Sequence, residues 1–200
     1  MLQIFDTKIN SAKTNMAQDF HLLQTLTPAA AVLHLYEWER DSITHGYFCL
    51  PQQHLNLKFA AAKKIDIARR PTGGGIICHQ WDFAFSFLMA TDHSAFSKDS
   101  LQNYFFVNQI VAAVVKEFLN VQKLEIAAVN LPVKDPACQH FCMARPTKYD
   151  LIVAGKKVAG AAQRQIKSGY LHQGSIAMVL PEWGYLERLF LAENKNVLAA

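Results

Sequence analysis

Arg69-Arg70-Pro71-Thr72-Gly73-Gly74-Gly75-Ile76-Ile77-Cys78-His79 is the stretch that most limits what this chain can become. Before it, Lys64-Ile65-Asp66-Ile67-Ala68 alternates polar and apolar residues, the period of a strand. After the glycines, Ile76-Ile77 and Phe83-Ala84-Phe85-Ser86-Phe87 restart a strand-like pattern. The order is therefore strand, glycine-rich loop, strand. A dinucleotide fingerprint or a P-loop needs a helix after the glycines, so neither fits. Residues without side chains let backbone N–H groups approach an anion. The paired arginines add fixed charge and forked donors for a carboxylate or phosphate.

The rest of the chain is compatible with one globular unit, and 200 residues suffice for a full core. Hydrophobic residues make up 51% and charged residues 18%, which excludes a disordered chain. A formal charge of +4 without a Lys/Arg run gives no reason to expect nucleic acid. The sequence has no apolar run long enough to span a bilayer and no signal peptide, so no membrane role and a cytoplasmic location are expected. Cys49, Cys78, Cys138 and Cys142 read as free thiols.

Helical spacing marks Asn15–Leu26, with Thr14 or Asn15 as cap, and marks Ser100–Asn120 most clearly, capped by Asp99 or Ser100. Gln53–Ala62 and a segment from Pro181 to Leu191 are also expected to be helical. Strands are expected at Val32–Trp38, Tyr149–Val153, Lys157–Arg164 and Tyr170–Val179, with Ala154-Gly155-Lys156 as a hairpin turn. Ile43–Phe48 reads as a turn leading into a short segment. Asn130–His140, with two prolines, reads as a loop. The fold class is α+β: a mixed, mostly antiparallel sheet packed with helices.

A second motif follows that loop. Asp150-Leu-Ile-Val-Ala-Gly-Lys-Lys-Val-Ala-Gly-Ala-Ala-Gln-Arg164 places Lys157 just past a tight turn, ahead of Ala159, Gly160, Ala161 and Ala162. Small residues let a ligand lie against the backbone. A lysine beside such a groove can hold a carboxylate, a thioester carbonyl or a phosphate. An exposed hairpin lysine is the plainer alternative.

Together the blocks resemble the lipoate-protein ligase A and octanoyltransferase family of the biotin/lipoate protein ligase superfamily. The matching residues are Arg69 to Gly75 with His79, then Asp150 and Gly155 to Arg164, then His172-Gln173-Gly174-Ser175. Weaker similarity begins near Asn15-Met16-Ala17 and Trp38. The resemblance implies a single catalytic domain over 1–200, a fatty-acyl tunnel, and no accessory C-terminal domain of the kind larger ligases carry. It also implies attachment of a lipoyl or octanoyl group to one lysine of a lipoyl carrier domain. By position, Lys157 matches the family's essential lysine. Arg69, Arg70, Thr72, Gly73, Gly74, Gly75, His79, Gly160, Ala161, Ala162 and His172 are the substrate-binding candidates, His79 and His172 only as pocket residues that could equally be structural.

The acceptor lysine has a reference pKa near 10.4, so deprotonating it at pH 7 costs about 4.6 kcal/mol, and a free carboxylate will not acylate it. Two activation routes exist in this family. One makes an acyl-adenylate and needs ATP and Mg. The other needs no cofactor and passes octanoate from acyl carrier protein through an enzyme cysteine. Cys142, within Phe141-Cys142-Met143-Ala144-Arg145-Pro146-Thr147-Lys148-Tyr149-Asp150, occupies a position similar to that nucleophile. A thiol is a good acyl acceptor because even a small thiolate fraction is strongly nucleophilic. Gln80-Trp81-Asp82 also departs from the Asp-x-Gly-Asn run usual in the ligases. The glycine triplet and arginines, by contrast, suit a nucleotide phosphate.

Octanoyl transfer through Cys142 is the favoured reading and lipoyl-adenylate ligation the alternative. Expected acceptors are lipoyl domains of 2-oxoacid dehydrogenases or the glycine cleavage H protein. A non-catalytic acyl-binding protein is a third reading. A zinc site at Cys138, His140 and Cys142 is a fourth, with a spacing unlike common fingers; no metal is expected.

Overall fold

The computed structural model describes residues 2–120, 123–132 and 135–199. Val133 and Lys134, inside the expected loop, lie outside the described residues. The strands are β1 (Leu2–Asn10), β2 (Ala31–Trp38), β3 (Ser42–His45), β4 (Asp66–Arg69), β5 (Ile76–His79), β6 (Asp82–Ala90), β7 (Leu124–Ile126), β8 (Leu151–Val153), β9 (Lys156–Gln165) and β10 (Gly169–Ala177). The α-helices are α1 (Ala12–Gln24), α2 (Leu57–Ala62), α3 (Ser100–Leu119) and α4 (Trp183–Leu189).

A seven-stranded sheet runs β1-β2-β6-β10-β9-β8-β7, and a three-stranded sheet runs β4-β3-β5. Among the described residues β1 with β2 and β3 with β4 pair in parallel, and the other ladders are antiparallel. The fold is thus the expected α+β mixture. Central β10 is buried along almost its whole length because both of its faces are covered. Leu171 packs with Leu23, Val32 and Leu88 on the α1 face. Tyr170 and Ile176 pack with Val107, Val111 and Val115 on the α3 face. A separate core joins the small sheet, through Ile43 and Ile76, to Leu55, Cys138, Phe141, Leu189 and Phe190.

Several expected bounds move for identifiable reasons. Helix α1 starts earlier, because Ser11 accepts the N–H of Thr14. Asn15 is then free to donate to Glu37 O at 3.0 Å from the helix's buried side. The expected Gln53–Ala62 helix is a 3-10 turn, Pro51–Gln53, and a separate α2 capped by Asn56. The break lets buried Leu55 pair with Phe190. Strand β1 went unread: it is an exposed edge whose apolar residues Leu2, Ile4, Phe5 and Ile9 do not alternate. The Asn130–His140 loop contains a 3-10 turn at Pro136–His140. Among the described residues, no helix is long and apolar enough to cross a membrane.

Candidate active site

The glycine loop crosses between β4 and β5 and meets the segment that carries Cys142. Buried Phe141 anchors that segment. It bridges Ile76 in parallel and packs against Phe190, with ring centroids 4.4 Å apart and planes tilted by 43°. The neighbouring Cys142 is thereby laid beside the loop. Gly75 makes this approach possible: a Cβ there would lie 2.2 Å from His140 O. Gly74 adopts φ +89°, open to few other residues.

The Cys142 sulfur faces two donors. Gly75 N–H points at Sγ from 3.3 Å, and Arg70 Nη2 lies 3.8 Å from it. Arg70 is 3% exposed. Nη2 also donates to Gly73 O at 3.1 Å and Gly75 O at 3.0 Å. Nη1 donates to Thr44 O at 3.0 Å and Thr44 Oγ1 at 2.8 Å. Among the described residues no carboxylate lies within ion-pair distance of this guanidinium. In this loop the Gly75 N–H is turned to sulfur, and the carbonyls of Gly73 and Gly75 accept from Arg70. One backbone donor and one cationic donor thus face the same sulfur.

Lys157 sits at the start of β9, where the β8–β9 register shifts between Leu151 and Ile152. Such a bulge re-aims side chains. Lys157 Nζ lies 2.8 Å from Asp150 Oδ2, and the two side chains are 6% and 0% exposed. Oδ2 also accepts from Thr147 N at 2.6 Å and Thr147 Oγ1 at 2.9 Å. Tyr104 donates to Oδ1 and accepts from Ala161 N at 2.9 Å. Burial and the Asp150 charge raise the Tyr104 hydroxyl well above its usual range, so it stays a donor. Gly160 leaves the room this arrangement needs: a Cβ there would lie 2.6 Å from Lys157 Nζ. Ala162 follows two residues on, about 6–7 Å along the strand. A Cβ on Gly74 would lie 3.9 Å from Ala162 Cβ and 3.5 Å from Cys142 Sγ. The small-residue stripe thus links the lysine end to the cysteine end.

Other candidates separate. Arg69 is exposed and lies over the Tyr47 ring at 4.5 Å. Arg69 ends β4 exposed, and Arg70, the next residue, is buried. Thr72 is buried and donates to Gln173 Oε1 at 2.6 Å. His79 is buried against Trp38, with ring centroids 4.2 Å apart. His172 lies on the α3 face, buried against Phe85, Tyr104 and Tyr170. Burial lowers its pKa to about 3. Burial pushes the Cys78 thiol up to about 12, in keeping with a strand core residue. The Cys138, His140 and Cys142 group does not converge: among the described residues no three metal-binding side chains do. Thr44, Tyr104 and Thr147 carry no sequence signal as site residues, and Gln173 stands in a matching block without an assigned role. Each lies far in sequence from the motif residue it touches or, like Thr147, looks like an ordinary loop residue.

The match to the lipoyl protein ligase A/B catalytic domain spans residues 11–190. The chain belongs to that family. Octanoyltransferase LipM of Bacillus cereus is 31% identical over 190 residues, covering 92% of this chain and 67% of its own length. LipM of Carboxydothermus hydrogenoformans is 29% identical over 170 residues, covering 84% of this chain and 61% of its own. The chain thus spans roughly two thirds of the length of these curated relatives. Among solved structures, a lipoate protein ligase from T. acidophilum with bound lipoic acid superposes with a TM-score of 0.71 at 20% identity. It covers 99% of this chain and 82% of that one, a likeness of fold. In this ligase A/B family member, both the glycine loop and the Lys157 strand lie inside the matched region.

Proposed function

We propose that this chain is an acyltransferase that moves an octanoyl group onto the acceptor lysine of a lipoyl domain through a thioester on Cys142. The observation that supports this most is the setting of the sulfur, which takes the Gly75 N–H and faces a buried Arg70 that has no carboxylate partner among the described residues. The LipM relatives bear a name that fits this chemistry.

In the first step Cys142 attacks the carbonyl of an octanoyl thioester on acyl carrier protein. A carbon–sulfur bond forms to Cys142 and the carrier thiol leaves with the proton. In the second step the neutral amine of the acceptor lysine attacks the enzyme thioester. The amide forms, and the Cys142 thiol is released as the amine gives up a proton. Lys157, fixed by Asp150, supplies positive charge to the carbonyl oxygen as it becomes an oxyanion. The acyl chain lies along Gly160 to Ala162 and the glycine loop. Residues 1–200 act as one catalytic unit, in the cytoplasm. The thioester route requires no ATP or Mg. It also uses the Gly75 N–H that an adenylate phosphate would otherwise claim.

Intact mass spectrometry after incubation with octanoyl-carrier thioester tests this. A hydroxylamine-sensitive octanoyl adduct on Cys142 is the expected result. No adduct, together with ATP-dependent lipoylation of an added lipoyl domain, would overturn it in favour of ligation.

A further inference from the structure

A buried cation without a carboxylate beside it needs some other restraint. For Arg70 the restraint is a chain of hydrogen bonds whose direction can be worked out. Thr44 Oγ1 accepts from Arg70 Nη1, so its own proton points elsewhere; the other partner is His79 Nε2 at 2.7 Å. With the Thr44 hydroxyl proton assigned to Nε2, that nitrogen accepts and the ring proton is placed on Nδ1. Nδ1 lies 2.8 Å from Asp82 Oδ2, which also accepts from Ser175 Oγ at 2.5 Å. The donors run one way: Arg70 to Thr44, Thr44 to His79, His79 to Asp82. Thr44, His79 and Ser175 are 0%, 8% and 2% exposed, and the Asp82 side chain 7%. Trp38 stacks flat on the imidazole, 26° from parallel, and holds the ring in line. In a buried setting such a chain polarises each member in turn and ends on the Asp82 carboxylate.

We propose that Thr44, His79 and Asp82 are positioning residues that hold the Arg70 guanidinium against the Cys142 sulfur. This rests on the reading of Cys142 as nucleophile. It replaces the expectation that His79 touches substrate, because both ring nitrogens are already engaged inside the protein. Arg70 has three carbonyl acceptors, Thr44 O, Gly73 O and Gly75 O, and none fixes its charge. The link to Asp82 does, by setting an anion at the far end. With the link cut, the guanidinium is free to turn from the sulfur, and thiol reactivity falls with it.

The test compares Thr44→Val, Thr44→Ser and Asp82→Asn with the unaltered chain, each checked for folding by thermal melting. Two quantities are read: the rate at which iodoacetamide alkylates Cys142 at pH 7, and kcat and KM for octanoyl transfer from carrier thioester. Thr44→Val and Asp82→Asn should each slow alkylation and lower kcat by about tenfold, with KM for the carrier unchanged. Thr44→Ser keeps the hydroxyl and should stay near the unaltered rate. A purely structural His79–Asp82 pair would lower the melting temperature and leave the alkylation rate alone; that result in either folded variant overturns the proposal. If Thr44→Val does not fold, Asp82→Asn decides by the same criterion. Cys142→Ser separates the two readings. Transfer that survives it removes the thioester route, whereas transfer lost with it, alongside normal alkylation in Asp82→Asn, removes only the positioning chain.

Discussion

Lys157 Nζ sits 2.8 Å from Asp150 Oδ2, and neither side chain has more than a sliver of exposed surface. The lysine is therefore both the candidate polarising group and half of an enclosed ion pair, so a single substitution confounds the two roles. Lys157→Ala should destabilise the chain by about 3–5 kcal/mol, because it strands a buried carboxylate. Lys157→Ala with Asp150→Asn should recover most of that stability, read by urea unfolding, while octanoyl transfer stays absent. Recovered transfer in the double variant would show that Lys157 is needed only for folding.

His172 makes stability depend on pH. Its pKa falls from 6.5 to about 3 on folding, because burial disfavours the charged ring. The unfolded chain therefore binds the proton first. The contribution is complete above pH 6.5 and is lost progressively as the pH falls toward 3. Between pH 7.5 and 5 this one group should cost about 2 kcal/mol of unfolding free energy. His172→Phe, beside Phe85, should flatten the curve by that amount in urea titrations at the two pH values. An unchanged slope would mean the ring is not neutral and enclosed.

The three loop glycines should not tolerate alanine equally. A Cβ on Gly73 meets nothing within 4 Å, whereas one on Gly75 would run into the His140 backbone at 2.2 Å. Gly73→Ala should change stability by under about 0.5 kcal/mol. Gly75→Ala should cost about 1–3 kcal/mol and push the Cys142 segment off the loop, so that the octanoyl adduct no longer accumulates. Melting temperatures and adduct mass measure both.

Ala154 takes φ 50° and Gly155 φ 77° in the β8–β9 turn, the pair of left-handed residues a tight hairpin prefers. Alanine is strained there by about 1–2 kcal/mol. Ala154→Asn should raise stability by about 1 kcal/mol without altering transfer. A lower melting temperature would contradict the turn geometry.

Much of the site was legible before the fold was known. The glycine triplet, Arg70, Cys142 and Lys157 all stand in motifs whose residue types are uncommon together. The hairpin at Ala154-Gly155 and the helix Ser100–Leu119 followed from local chemistry, since a turn or an amphipathic face is written in neighbouring residues. Arg69 and Arg70 looked alike in the sequence and proved opposite. His172, which the sequence leaves open between pocket and structural residue, is buried against Tyr104. Edge strand β1 gave no periodic signal because neither face is covered.

The sequence by itself determined the fold class, the family resemblance and the candidate reactive groups, because those depend on residue type and short spacing. Only the tertiary structure decided what each group faces. Gly75 N–H meets sulfur, Lys157 meets Asp150, and Asp82 reaches Arg70 through His79 and Thr44. These contacts join residues up to 67 positions apart. A hydrogen bond needs its donor and acceptor within about 3 Å. No spacing along a chain fixes such a distance until the sheet has set its register.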